Sequence, residues 1–152
     1  MHRWSDDEWL TLQLGPLWVM SAIIGRSRFD ELERQAFTLS VVAAPTGNAA
    51  LPWQLMQAVD RNANDLFDRL ARDNRSIVSG LGQVTALLAS VDEQTSRLTR
   101  EAMLRVGADV ARARGPFGRR ILEQDAQQLA LVAYILETPL ETATGRPLDA
   151  MV

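Results

Sequence analysis

Trp9–Ala43 reads WLTLQLGPLWVMSAIIGRSRFDELERQAFTLSVVA, and its charge pattern decides the fold. The seventeen residues Trp9–Gly25 carry no charge, Gly25-Arg26-Ser27-Arg28 follows as a short turn, and Asp30-Glu31-Leu32-Glu33 opens the next segment on three acids. An uncharged segment with apolar residues on nearly every side predicts a central, buried helix. Gly25 supplies its C-terminal stop, and Gly15-Pro16 should kink or split it, because Pro16 donates no N–H and crowds the preceding turn. In the second helix Leu32, Ala36, Leu39 and Ala43 share one face, which predicts an amphipathic partner packing on the first.

Working outward, Ser5-Asp6-Asp7-Glu8 is a capping box ahead of the first helix, and Pro45 ends the second before the loop APTGNAAL. The spacing then predicts a short helix Pro52–Asp60 with Trp53, Met56 and Val59 inward. The next segment, capped by Asn62 or Asn64, runs to Asp73 with Leu66, Phe67 and Leu70 buried. Asn74 caps Ser76–Ala89, where Gly80 and Gly82 predict a close neighbour, since glycine costs up to about 1 kcal/mol in a helix interior. Ser90-Val91-Asp92-Glu93 opens the longest helix, Val91–Arg114, with Leu98, Ala102, Val106, Val110 and Ala113 as its stripe. Gly115-Pro116-Phe117-Gly118 breaks it before a last helix, Arg119–Glu137, which buries Leu122, Leu129, Val132, Ala133 and Leu136. Residues 1–138 thus form one helical domain of about six to seven helices, and 139–152 an extended tail. No segment sustains the alternation of a strand.

Composition removes whole classes of chemistry. The chain has 152 residues, 47% hydrophobic and 23% charged, with net charge −3; it is globular, and lacks the basic excess that neutralises nucleic-acid phosphates. It has no Cys, and all 16 basic residues are Arg, so thiol nucleophiles, thiolate metal sites, Schiff-base lysines and phosphate-loop lysines are excluded. The single His, His2, stands at the N-terminus, which argues against an imidazole base or a two-His metal site. Acids occupy the place of a signal peptide's positive region in MHRWSDDEW, and Trp9–Gly25 falls short of the roughly 20 residues a membrane span needs. The expectation is a cytoplasmic protein with no catalytic residues and no cofactor, binding a protein partner or a second copy through an apolar surface. A membrane-peripheral protein docking through the Trp-rich N-terminal helix is a weaker alternative.

The opening pattern recurs. Arg28-Phe-Asp-Glu-Leu-Glu-Arg-Gln-Ala-Phe37 aligns with Arg120-Ile-Leu-Glu-Gln-Asp-Ala-Gln-Gln-Leu129, with Arg, an apolar residue, Glu, a second acid, Gln and an apolar residue at matching offsets. Each copy follows an Arg-bearing, Gly-containing turn that ends an apolar helix. The echo reads as two pseudo-repeated helical hairpins with other helices inserted between them, or as a pattern any two capped amphipathic helices share. In Gly15–Gly25, Asp30–Phe37 and Val106–Leu136 the chain resembles the TerB-like (tellurite-resistance type) helical family. That resemblance implies an all-α bundle and a stress-related role. The family's first turn carries Asp-Gly with a downstream Glu, acids that imply a metal. Here Gly25–Arg28 reverses the charge of that turn, and Glu31 or Glu33 stands for the downstream acid.

Two site hypotheses follow. Arg26, Arg28, Arg112, Arg114, Arg119 and Arg120 bracket the two matched turns, and packed hairpins would gather them into an anion site at one end; alternatively they offset helix dipoles in solvent. Asp109 and Asp125 fall at similar heights on an antiparallel hairpin, where with Glu33 and Glu123 they would offer a divalent metal a carboxylate site. Alternatively Arg105 or Arg112 neutralises Asp109. Trp9 and Trp18 lie about 180° apart round a helix, so Trp18 is assigned to the core, and Trp4 and Trp9 to an interface.

Overall fold

The computed structural model describes residues 4–47 and 49–152, and His2 lies outside them. Among the described residues the chain is all helix: α1 (Asp6–Ile24), α2 (Glu31–Ala43), α3 (Ala50–Arg61), α4 (Ala63–Arg72), α5 (Ile77–Leu88), α6 (Glu93–Arg114), α7 (Glu123–Ile135), α8 (Leu140–Thr144) and α9 (Leu148–Met151). No described helix is long and apolar enough to cross a membrane.

α1 starts where the capping box places it. Ser5 Oγ accepts the Glu8 N–H at 3.1 Å, and Glu8 Oε1 accepts the Ser5 N–H at 2.8 Å. Gly25 ends it in the left-handed region at φ 85°. Every residue from Thr11 to Ile23 is buried, because α3, α4, α5, α6 and α7 all pack against this one helix. Of the two outcomes expected at Gly15-Pro16, the split does not occur, and α1 runs unbroken through Pro16; enclosure by other helices outweighs the local cost of about 3 kcal/mol. Gly80 on α5 and Gly107 on α6 let their helices close in. A Cβ at Gly80 would collide with the Trp18 ring, and one at Gly107 with Val19. Gly82 faces open space instead.

α2 is turned differently from the expectation. Leu32 and Leu39, assigned to the core, are exposed; the buried side carries Phe37, Ser40 and Val41, with Phe29 just before the helix. The aromatics decide the rotation. Phe29 and Phe37 meet Phe67 of α4 edge to face, at centroid distances of 5.8 and 5.6 Å, and such rings contribute more buried area than the leucines would. In α3 the buried stripe is Pro52, Leu55, Met56 and Val59, and Trp53, expected inward, falls beside it and is exposed.

Several boundaries also move. Asn62 caps nothing with its side chain, which donates to Gln13 Oε1 at 3.1 Å. Ser76 rather than Asn74 caps α5. Asp92 rather than Ser90 caps α6, accepting the Thr95 N–H at 2.9 Å. α7 begins at Glu123 rather than Arg119, because Pro116–Gly118 forms a 3-10 turn in which Phe117 (φ 58°) and Gly118 (φ 65°) reverse the chain. Leu122, just before α7, is exposed, as is Ala113 on α6. Residues 139–152 are not an extended tail. They form α8 and α9, bury Ala143 and Met151, and tie back through the Ile121 N–H to the Met151 carbonyl at 2.8 Å.

α2 and α7, whose first residues Glu31 and Glu123 are aligned in the sequence echo, are both 13 residues long. In the same alignment Phe29 and Ile121, and Phe37 and Leu129, are buried pairs.

Candidate functional site

The acidic start of α2 sits against the two Arg-bearing turns. Glu33 closes the α2 capping box with Asp30, at 2.8 Å in both directions, and takes Arg26 as a bidentate partner, with Nη1–Oε1 at 2.7 Å and Nη2–Oε2 at 2.8 Å. Burial acts to raise the Glu33 pKa, but the Arg26 hydrogen bonds, the Asp30 N–H and the charges of Arg26 and Arg114 together hold it below the usual carboxylate range. Arg114, from the end of α6, donates to Asp125 Oδ2 at 3.0 Å and reaches Glu33 Oε2 at 3.4 Å. Arg114 therefore joins α2 and α7 at the positions, Glu33 and Asp125, that the sequence echo aligns.

The six arginines of the proposed anion site are not equivalent. Arg26 and Arg114 hold Glu33 and Asp125, and Arg112 holds Asp109 at 2.8 Å, with Arg105 on the same oxygen at 3.4 Å. Arg28, Arg119 and Arg120 are exposed. The carboxylates facing three of these guanidiniums are the chain's own. Of the four proposed metal ligands, Glu33 and Asp125 are bridged by an arginine, Asp109 is held by two, and Glu123 is exposed at the start of α7. Among the described residues no group of three or more His, Asp or Glu side chains lies close enough to hold a metal ion.

Two further arginines, not singled out in the sequence, do structural work. Arg100 is buried and donates through Nη1 to the Leu136 and Glu137 carbonyls (3.1 and 2.9 Å) and to Thr138 Oγ1 (3.1 Å), closing the C-terminal end of α7. Arg75 lies over the Trp18 ring, 4.7 Å from its centroid, and bonds Thr11, Asp73 and Gln83. Hydrogen bonding by Asp73 raises the Arg75 pKa further, while Arg75 lowers that of Asp73. Arg75 stands just before a helix and Arg100 well inside one, and neither position in the sequence tells a bonded guanidinium from a solvated one.

Beside the exposed Glu31 and Gln35, what α2 leaves outside is mostly apolar. Leu32 is 76% exposed, Leu39 71% and Val42 70%, and Trp53 of α3 is 53% exposed. Leu39 and Val42 are one helical turn apart, and Val42 and Trp53 line one shallow cleft floored by Met56. The outward positions of α2 from Leu32 to Ala43, namely Leu32, Gln35, Ala36, Leu39, Val42 and Ala43, carry no charge. Trp4 and Trp9, the tryptophans assigned to an interface, lie elsewhere. They are half-buried and line a cleft of about 650 Å³ where the N-terminal ends of α1, α3 and α6 meet. Comparison with family models, with curated proteins and with solved structures gives no match.

Proposed function

We propose that this chain is a non-enzymatic, TerB-like helical interaction protein, and that it pairs with a second copy of itself through the outward face of α2. One observation carries the reading: four large apolar side chains, Leu32, Leu39, Val42 and Trp53, stand mostly bare along α2 and the adjoining end of α3. They leave on the order of 500 Å² of apolar surface open, at the upper end of what a monomer's largest patch usually shows. Two copies related by a two-fold axis cover both patches at once and remove about 1,000 Å², the lower bound for a specific interface. The uncharged stripe favours a copy of itself, since antiparallel α2 helices bring no like charges together and oppose their dipoles favourably.

Composition supports the non-enzymatic half of the reading, with no Cys, no Lys and a single His. The TerB-like half rests on the resembling segments and on the matched α2 and α7, which we take as the pseudo-repeated elements of two duplicated hairpins. A stress-related role follows from that resemblance alone. Sedimentation equilibrium tests the pairing. Wild type should show a reversible monomer–dimer equilibrium, and Leu39→Glu with Val42→Glu should run as a monomer with unchanged helicity and the melting temperature of dilute, monomeric wild type. A wild-type chain that stays monomeric at its highest soluble concentration would overturn the reading.

A further inference from the structure

The Trp4/Trp9 cleft is separate from the outward face of α2, and its lining has a definite chemistry. Trp4 and Trp9 together with Leu51 and Val91 supply apolar walls. Among the described residues the ionisable groups on those walls are two carboxylates, Asp6 and Asp92, and no described arginine lines the cleft. Asp92 is fixed in place, accepting the Thr95 N–H at 2.9 Å and the Thr95 hydroxyl at 2.7 Å, and those bonds hold its pKa below the usual range. Three helix N-termini also face this region and by themselves favour an anion. At about half a positive charge each, their sum is smaller than the two full negative charges.

We infer that this cleft binds a small organic cation, an ammonium group carrying an alkyl body. Such a ligand is the one class that satisfies both components of the wall. Indole faces attract a cation through their quadrupole, most strongly when the cation is poorly hydrated, and the apolar body removes Leu51 and Val91 from water. A neutral apolar ligand would strip water from the charges of Asp6 and Asp92 without supplying an opposite charge. An anion would meet both carboxylates directly. A bare metal ion would leave the apolar walls unused.

The test is a titration of the full chain with choline, followed by tryptophan fluorescence and calorimetry, beside 3,3-dimethylbutan-1-ol, its neutral isostere of matching shape. Choline should bind saturably and at least about tenfold more tightly than the alcohol, the equivalent of about 1.4 kcal/mol, and added salt should weaken it. Asp6→Asn with Asp92→Asn should remove that advantage by weakening choline, with the alcohol bound no less tightly than before; asparagine at position 92 keeps an N-cap, so α6 still forms. Trp9→Ala should weaken both ligands, with circular dichroism confirming the fold. Equal affinity for choline and the alcohol, saturable binding of acetate in preference to choline, or no saturable response to choline would each overturn the inference.

Discussion

α1 and α2 are consecutive, both are rich in apolar residues, and the fold treats them in opposite ways. α1 is enclosed on all sides, and its closest neighbours reach it only because glycines stand opposite Trp18 and Val19. α2 has two apolar faces, and the fold covers one: Phe37 and Val41 are buried while Leu39 and Val42 are bare. Apolar content sets how much surface is better off covered, and the neighbouring helices decide which side receives the cover. A helix packed against five others keeps no face for a partner, whereas one held mainly by α3 and α6 does.

The sharpest way to break this contrast uses two positions two residues apart. Phe37→Ala empties a fully buried site against Phe67 and should cost about 3–5 kcal/mol in urea unfolding. Leu39→Ala should change the stability of the monomer by less than about 0.5 kcal/mol. Equal losses would mean that both faces of α2 are covered. Next in size come two glycines on α5, also two residues apart. Gly80→Ala forces a methyl group into the Trp18 ring and should cost about 1–3 kcal/mol. Gly82→Ala, with nothing within 4 Å of the new Cβ, should gain about 0.5–1 kcal/mol from helix propensity. Thermal melts of the two variants should move in opposite directions.

These pairs also show what was legible in the sequence. The existence and order of α1 to α7, the central place of α1, the core role of Trp18 and the capping boxes at Ser5 and Asp30 follow from local pattern, because each depends on residues within a few positions. The rotation of α2 does not. Its leucine face and its phenylalanine face are both apolar at helical spacing, and the elements that select between them, α3, α6 and Phe67 of α4, come from elsewhere in the chain. The site arginines failed for a related reason. Charge at a turn shows that guanidiniums are present, but whether they meet a ligand or the chain's own acids depends on how the following helix turns Glu33 and Asp125, and on the fold bringing Arg114 to Glu33. The tail misled through its prolines, which punctuate the segment and in fact precede two short helices at Pro139 and Pro147.

A smaller effect probes the junction of α2 with the turn before it and the end of α6. Glu33 is held ionised below the usual range, so its contribution to stability is complete above the unfolded value of about pH 4.3 and is lost as pH falls through the lower folded value. Glu33→Gln should therefore flatten the acid limb of a stability–pH curve and leave its alkaline side unchanged. An identical acid limb in the variant would show that Arg26 and Arg114 contribute nothing there.

The most direct test of the outward α2 face exploits the absence of cysteine from the chain. A single Leu39→Cys places one thiol at the centre of the exposed stripe, and a single Val78→Cys places one at an exposed position on α5. Under mild oxidation at equal concentration, Leu39→Cys should convert to a disulfide-linked dimer that keeps the wild-type melting profile, while Val78→Cys stays monomeric. Equal cross-linking of the two variants, or none at position 39, would contradict the assignment of this face as the surface through which the protein pairs.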